Sequence, residues 1–142
     1  MKIGIGSDHG GFNFKQELIE HYGKKGIDFV DFGIESEEMR DYNDVANAVC
    51  KAVLDERIDM GVLICGSGIG MSIAANRFKG IYAAILYNDD VAHLAKEHNN
   101  ANVAVFAGRL MNLEDVIRRL DIFLASKYLG GRYQQRIDKL DI

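Results

Sequence analysis

Five short apolar, largely β-branched runs punctuate this chain, and amphipathic stretches separate them. The runs span residues 2–6, 27–32, 60–64, 81–86 and 102–106. Most are near-continuously apolar, as strands are when a parallel sheet is covered on both faces. Between them, residues 12–22 place Phe14, Leu18, Ile19 and Tyr22 at helical spacing, and residues 44–54 do the same with Val45, Val49, Ala52 and Val53. Shorter helical patterns follow at 71–76 and 90–97. A longer one runs over 113–127 behind Asn112, which is placed to cap it. A βαβαβ rhythm with short connections predicts an open α/β sheet sandwiched by helices.

The 142 residues suit one domain, so residues 1–142 are read as a single unit without repeat or linker. Hydrophobic residues at 48% and charged residues at 27% exclude a disordered chain. With 17 basic against 21 acidic residues the net charge is −4, which argues against broad nucleic-acid binding and leaves anion recognition to a local basic cluster. Two cysteines are too few for a disulfide scaffold. Neither a signal-peptide pattern nor a membrane-length apolar run is visible, so a cytoplasmic address without membrane partners is expected.

Ligands in open α/β sheets sit outside the carboxyl ends of the strands. Directly after the third run stands Cys65-Gly66-Ser67-Gly68-Ile69-Gly70-Met71-Ser72. Three alternate glycines let the backbone turn tightly and aim N–H groups at one point, an anion nest that the following helix start reinforces. A cysteine beside such a loop is placed to serve as base or nucleophile; the plainer reading is a small buried cysteine before a glycine turn. The loop fits neither the dinucleotide fingerprint nor a P-loop. A cysteine-phosphatase loop would want arginine where Met71 stands.

After the first run comes Ser7-Asp8-His9-Gly10-Gly11. Asp8 and His9 there can act as acid/base and anion contact, or Ser7 or Asp8 simply caps the next helix. His98 and Asn99 close a helical pattern just before the fifth run, where an imidazole and an amide can exchange and orient protons. Arg109 follows the fifth run. Arg132 and Arg136, four apart, share one face of a helical turn and fit phosphate oxygens, although such pairs usually face solvent. His21 and His93 read as surface residues and Cys50 as core. No Cys/His cluster has zinc spacing, so no metal is expected.

SDHGGF, Asp41–Asp44, LICGSGIGMSIAANR, EHNNANV, Arg109 and GGRYQQR occur in an order that resembles type B ribose-5-phosphate isomerases and the related galactose-6-phosphate isomerase subunits. The resemblance covers residues from about 2 to 137. It implies a three-layer α/β/α, Rossmann-like sandwich of about five parallel strands. It also implies a homodimer, or a dimer of dimers, with active sites across the interface and a cofactor-free aldose–ketose isomerisation of a phosphorylated sugar. Carried over by position, Cys65 would move the proton between C1 and C2, with Ser67 beside it. Gly66, Gly68, Ile69 and Gly70 would belong to the loop that stabilises the enediolate oxygens. Asp8 and His98 would open the furanose ring, and Asn99 would contact sugar oxygens. His9, Arg109, Arg132 and Arg136 would receive the phosphate.

Ser67 stands where the family commonly has Thr, Asn43 where it has Pro, and Tyr133 where it often has His; the 87–90 segment also departs. The expected reaction is ribose 5-phosphate to ribulose 5-phosphate in the pentose phosphate pathway. A hexose 6-phosphate such as allose or galactose 6-phosphate is the alternative within the fold. A non-catalytic sugar-phosphate or nucleotide-binding module is the alternative outside it. A thiol redox role is disfavoured because Cys50 and Cys65 do not form a C-x-x-C pair.

Overall fold

In a computed structural model, which describes residues 1–34 and 41–141, five strands form one all-parallel sheet. The strands are β1 (Ile3–Ser7), β2 (Phe29–Asp31), β3 (Met60–Cys65), β4 (Ala83–Ile85) and β5 (Val103–Ala107), in spatial order β2-β1-β3-β5-β4. Six helices complete the described residues: α1 (Phe12–Gly23), α2 (Tyr42–Leu54), α3 (Ile69–Asn76), α4 (Asp89–Glu97), α5 (Leu113–Ala125) and α6 (Arg132–Ile137). None is long and apolar enough to cross a membrane.

The expected three layers are present. One core packs Leu18 and Tyr22 of α1, Ala92 of α4 and Leu120 of α5 on one sheet face, and the other packs Val45 and Val49 of α2 and Met71 of α3 on the opposite face. Because side chains alternate along a strand, Ile3 and Ile5 face the first core while Gly4 and Gly6 face the second. A Cβ on Gly6 would lie 2.5 Å from Val45 Cγ1, and one on Gly61 would lie 2.5 Å from Val49 Cγ1. These two glycines let α2 settle close to the sheet beside the strand ends that matter below.

Central β1, β3 and β5 are buried throughout, as their apolar runs predict. The outer strands are shorter than expected: β2 and β4 keep three residues each of the predicted 27–32 and 81–86. Each pairs on one side only; Ile81 and Leu86 remain buried beyond the ends of β4, and Leu86 N–H still donates to Val105 O at 3.1 Å. Asn112 caps α5 by accepting the Asp115 N–H at 2.9 Å. Neither the Ser7 nor the Asp8 side chain caps the short 3₁₀ turn at His9–Gly11, which hands the chain into α1. α2 begins two residues earlier than predicted, at Tyr42, and α5 stops at Ala125 rather than 127.

Candidate active site

The carboxyl ends of β1, β3 and β5 are tied together by the main chain. Asp8 N–H donates to Ile64 O at 3.2 Å, Gly108 N–H to Cys65 O at 2.8 Å and Arg109 N–H to Gly66 O at 3.0 Å. Above this junction opens a cavity of about 410 Å³ lined by Asp8, Tyr42, Cys65, Gly66, Ser67, Gly70, Arg109 and Leu110. The cavity lies at the carboxyl ends of the strands, the edge where open α/β sheets take ligands.

Cys65 is the last residue of β3. It is 4% exposed, yet it lines the cavity rather than being sealed in the core. Its Sγ accepts the Gly68 N–H at 3.2 Å. That contact is made by the turn itself: Gly68 takes φ of +78°, a left-handed conformation that glycine tolerates without strain, and α3 begins at once, two residues before the predicted start. Ser67 Oγ accepts the Ile69 N–H at 3.2 Å. The loop is thus not an anion nest with every amide converging on one point, because the Gly68 and Ile69 amides are directed at the sulfur and the hydroxyl. Further into α3, Gly70 and Met71 have first-turn N–H groups without a carbonyl four residues back within the helix. Ile69 itself is exposed.

Asp8 is half-buried, and its Oδ1 has no hydrogen-bond partner among the described residues. Arg109 lies against the glycine of the cysteine loop, where a Cβ on Gly66 would come within 3.3 Å of its Cδ. His9 is exposed on the 3₁₀ turn and does not line this cavity.

His98, Asn99, Arg132 and Arg136 are elsewhere. His98 caps the carboxyl end of α4, so it sits at the amino ends of the strands, the edge opposite Cys65. The five residues of β5 alone separate the two edges by about 16 Å at roughly 3.3 Å per residue. His98 and Asn99, read from the sequence as lying just before the fifth run, are therefore away from the carboxyl-end loops, as are Arg132 and Arg136. They form a second cluster: the His98 ring stacks on Tyr133 with centroids 4.2 Å apart and planes at 11°, and the Arg132 and Arg136 guanidiniums lie 5.1 and 5.9 Å from the Tyr133 centroid. His98, Asn99 and Arg136 line a cavity of about 240 Å³. Both arginines are exposed, as their spacing on one turn predicts.

Sequence reasoning missed Tyr42 as a wall of the first cavity and the Tyr133 ring as the platform of the second. Both occupied segments already singled out, but an aromatic in a polar stretch carries no chemical signature of its own. The ring atoms of Tyr42 come within 2.8–3.1 Å of where a Cβ on Gly70 would stand, which shows why that glycine of the loop is needed. Cys50 is core as expected, and burial pushes its thiol up to about 12. His93 is exposed and pairs with Glu97 at 2.6 Å. His21 is half-buried, edge-on to the Tyr22 ring at 4.9 Å, not a surface residue.

Residues 3–140 match the family model described as Ribose/Galactose Isomerase. The chain is 41% identical over 139 residues to ribose-5-phosphate isomerase B of Escherichia coli K12, covering 98% of this chain and 93% of that one. Its structure is similar to that of a ribose 5-phosphate isomerase from Thermotoga maritima, with a TM-score of 0.97, 46% identity and coverage of 99% and 97%. It is also similar to ribose-5-phosphate isomerase B from Mycoplasma genitalium with bound ribulose-5-phosphate, at a TM-score of 0.92, 39% identity and coverage of 98% and 93%.

Proposed function

Because the chain belongs to the ribose/galactose isomerase family, we propose that it is a single-domain isomerase interconverting ribose 5-phosphate and ribulose 5-phosphate through a cis-enediolate. One observation carries the catalytic reading over a mere binding module: the Cys65 sulfur faces a cavity that also holds Asp8 and Arg109. A binding site needs the arginine and the glycines but has no use for a thiol there.

In this reading Asp8 takes the proton of the anomeric hydroxyl while His98 gives one to the ring oxygen, which opens the furanose. Cys65 Sγ then removes the C2 proton. The C2–H electron pair becomes the C1=C2 bond, and the aldehyde oxygen takes up negative charge. The first-turn amides of α3 face that charge, the arrangement that stabilises a developing oxyanion. The thiol returns its proton to C1, the O2 proton passes to O1, and the ketose results. Ser67 supports the sulfur's loop, and Asn99 holds the sugar oxygens. Arg109, Arg132 and Arg136, with His9, hold the phosphate as a remote anchor that orients the reacting carbons.

One chain cannot supply all of these groups to one sugar, since the His98 cluster lies at the other edge of its sheet. We infer a homodimer in which the Cys65 cavity of one copy is completed by the His98–Arg132–Arg136 face of the other. The outward-facing Ile69, Ile73, Leu110 and Leu140, between 56% and 76% exposed, support this reading as apolar surface for a partner to cover.

The test is conversion of ribose 5-phosphate to ketose by the purified protein and by Cys65→Ala. Loss of a general base lowers turnover by roughly a hundredfold to ten-thousandfold. Near-normal kcat in Cys65→Ala would remove the sulfur from the mechanism.

A further inference from the structure

Among the described residues the only fully buried charged side chain is Lys15 of α1, and the chemistry above makes no use of it. Its ammonium has three protons and three acceptors: Asp31 Oδ1 and Oδ2 at 2.9 Å each and Ile34 O at 2.5 Å. Asp31 Oδ1 also accepts the Gly33 N–H at 2.9 Å, so the pair fixes the turn that leaves β2. That turn is clasped to the end of β1. Ser7 N–H donates to Gly33 O at 2.8 Å, and Ile34 N–H donates to Ser7 O at 3.0 Å. The next residue is Asp8, whose Oδ1 is buried and unpartnered among the described residues.

Burying an ammonium is a poor way to gain stability, because a well-packed apolar side chain of the same volume often does as well or better. What the charge provides is direction. Three short hydrogen bonds fix one geometry for residues 31–34, and two more transmit it to Ser7. We propose that Lys15 is a positioning residue for Asp8: through Asp31, Gly33 and Ile34 it locks the carboxyl end of β1 so that the Asp8 carboxylate is aimed at the anomeric hydroxyl. The proposal rests on the isomerase reading above and adds to it a residue that touches no substrate.

Ring opening can be separated from proton transfer. In ribulose 5-phosphate O5 is esterified, so no hydroxyl is placed to close a five-membered ring on C2, and this sugar is open-chain. Its C1 proton can exchange with solvent through the enediolate without the ring step, whereas turnover of furanose ribose 5-phosphate begins with the ring opening that Asp8 serves. In heavy water, deuterium entry at C1 of ribulose 5-phosphate is measured beside ketose formation from furanose ribose 5-phosphate for the wild-type protein, Lys15→Met and Asp31→Asn. Misalignment of a catalytic group costs about tenfold or more. Lys15→Met is therefore expected to lose about tenfold in ketose formation and less than about twofold in exchange, raising the ratio of exchange to ketose formation by about five- to tenfold. Asp31→Asn, altered at a part-exposed carboxylate, is expected to move the ratio the same way by a smaller factor, and it decides the matter should Lys15→Met fail to fold.

Equal losses of both rates would assign Lys15 a purely structural role and overturn the proposal, as would an unchanged ratio. Wild-type protein that neither exchanges nor converts the sugar would refute the isomerase reading instead.

Discussion

Two cysteines sit 15 positions apart with opposite fates, and each fate is set by the few ångströms around its sulfur. Cys50 is enclosed by the α2 side of the core, where burial pushes its thiol up to about 12 and leaves it protonated and inert. Cys65 ends a strand, so its sulfur reaches a cavity and takes the Gly68 N–H. At mildly alkaline pH, iodoacetamide should alkylate one thiol per chain, at Cys65, and ribose 5-phosphate should slow that labelling. Peptide mass spectrometry reads the position; label on Cys50 in the folded protein would contradict the assignment. Cys65 was legible in the sequence because a strand end beside glycines is a recognisable local pattern. The use of Ser67 Oγ as the acceptor for Ile69 N–H was not, since a hydroxyl's partner depends on the turn that forms around it. The stack of His98 on Tyr133 was hidden for a different reason: the two residues meet only through tertiary structure.

Among the elements, α6 carries Arg132 and Arg136, and the chain just beyond it is pinned to the sheet's amino edge. Asp141 Oδ2 accepts the Tyr82 hydroxyl at 2.7 Å and the Gly80 N–H at 3.0 Å. The hydrogen bond to Asp141, with burial second, pushes the Tyr82 phenol up to about 12 from an ordinary value of 10.0. Between those two pH values the unfolded chain has given up a proton that the folded chain still holds. Stability contributed by this clasp is whole below the ordinary value and drains away as pH rises through the window. Thermal midpoints of the wild type should therefore fall more steeply across that window than those of Tyr82→Phe, whose other tyrosines are unchanged; parallel curves would show that the clasp is not coupled to folding. The cores of the helices and of the three central strands were legible from apolar spacing. The shortening of β2 and β4 was not, because it depends on their lying at the sheet's edges, and nothing local in the 81–86 run states that β5 would insert between it and β3.

At the scale of the whole molecule, the sheet itself imposes the division of labour. Helices α1, α2, α3 and α4 each lead the chain back to the amino end of the next strand, so a residue that immediately precedes a strand cannot share a loop with one that immediately follows a strand. His98 precedes β5 and Cys65 ends β3, an order readable from the sequence once the strands are placed. A shared site across a two-fold axis has a consequence that no single-chain site has. Cys65→Ala and His98→Ala should each be inactive alone. When the two are unfolded together and refolded as a mixture, half of the dimers are mixed, and each of these carries one site with both residues intact. About a quarter of wild-type isomerase activity should return. Absence of any recovery, with mixed dimers shown to have formed, would contradict the claim that the thiol of one copy and the imidazole of the other act on one sugar.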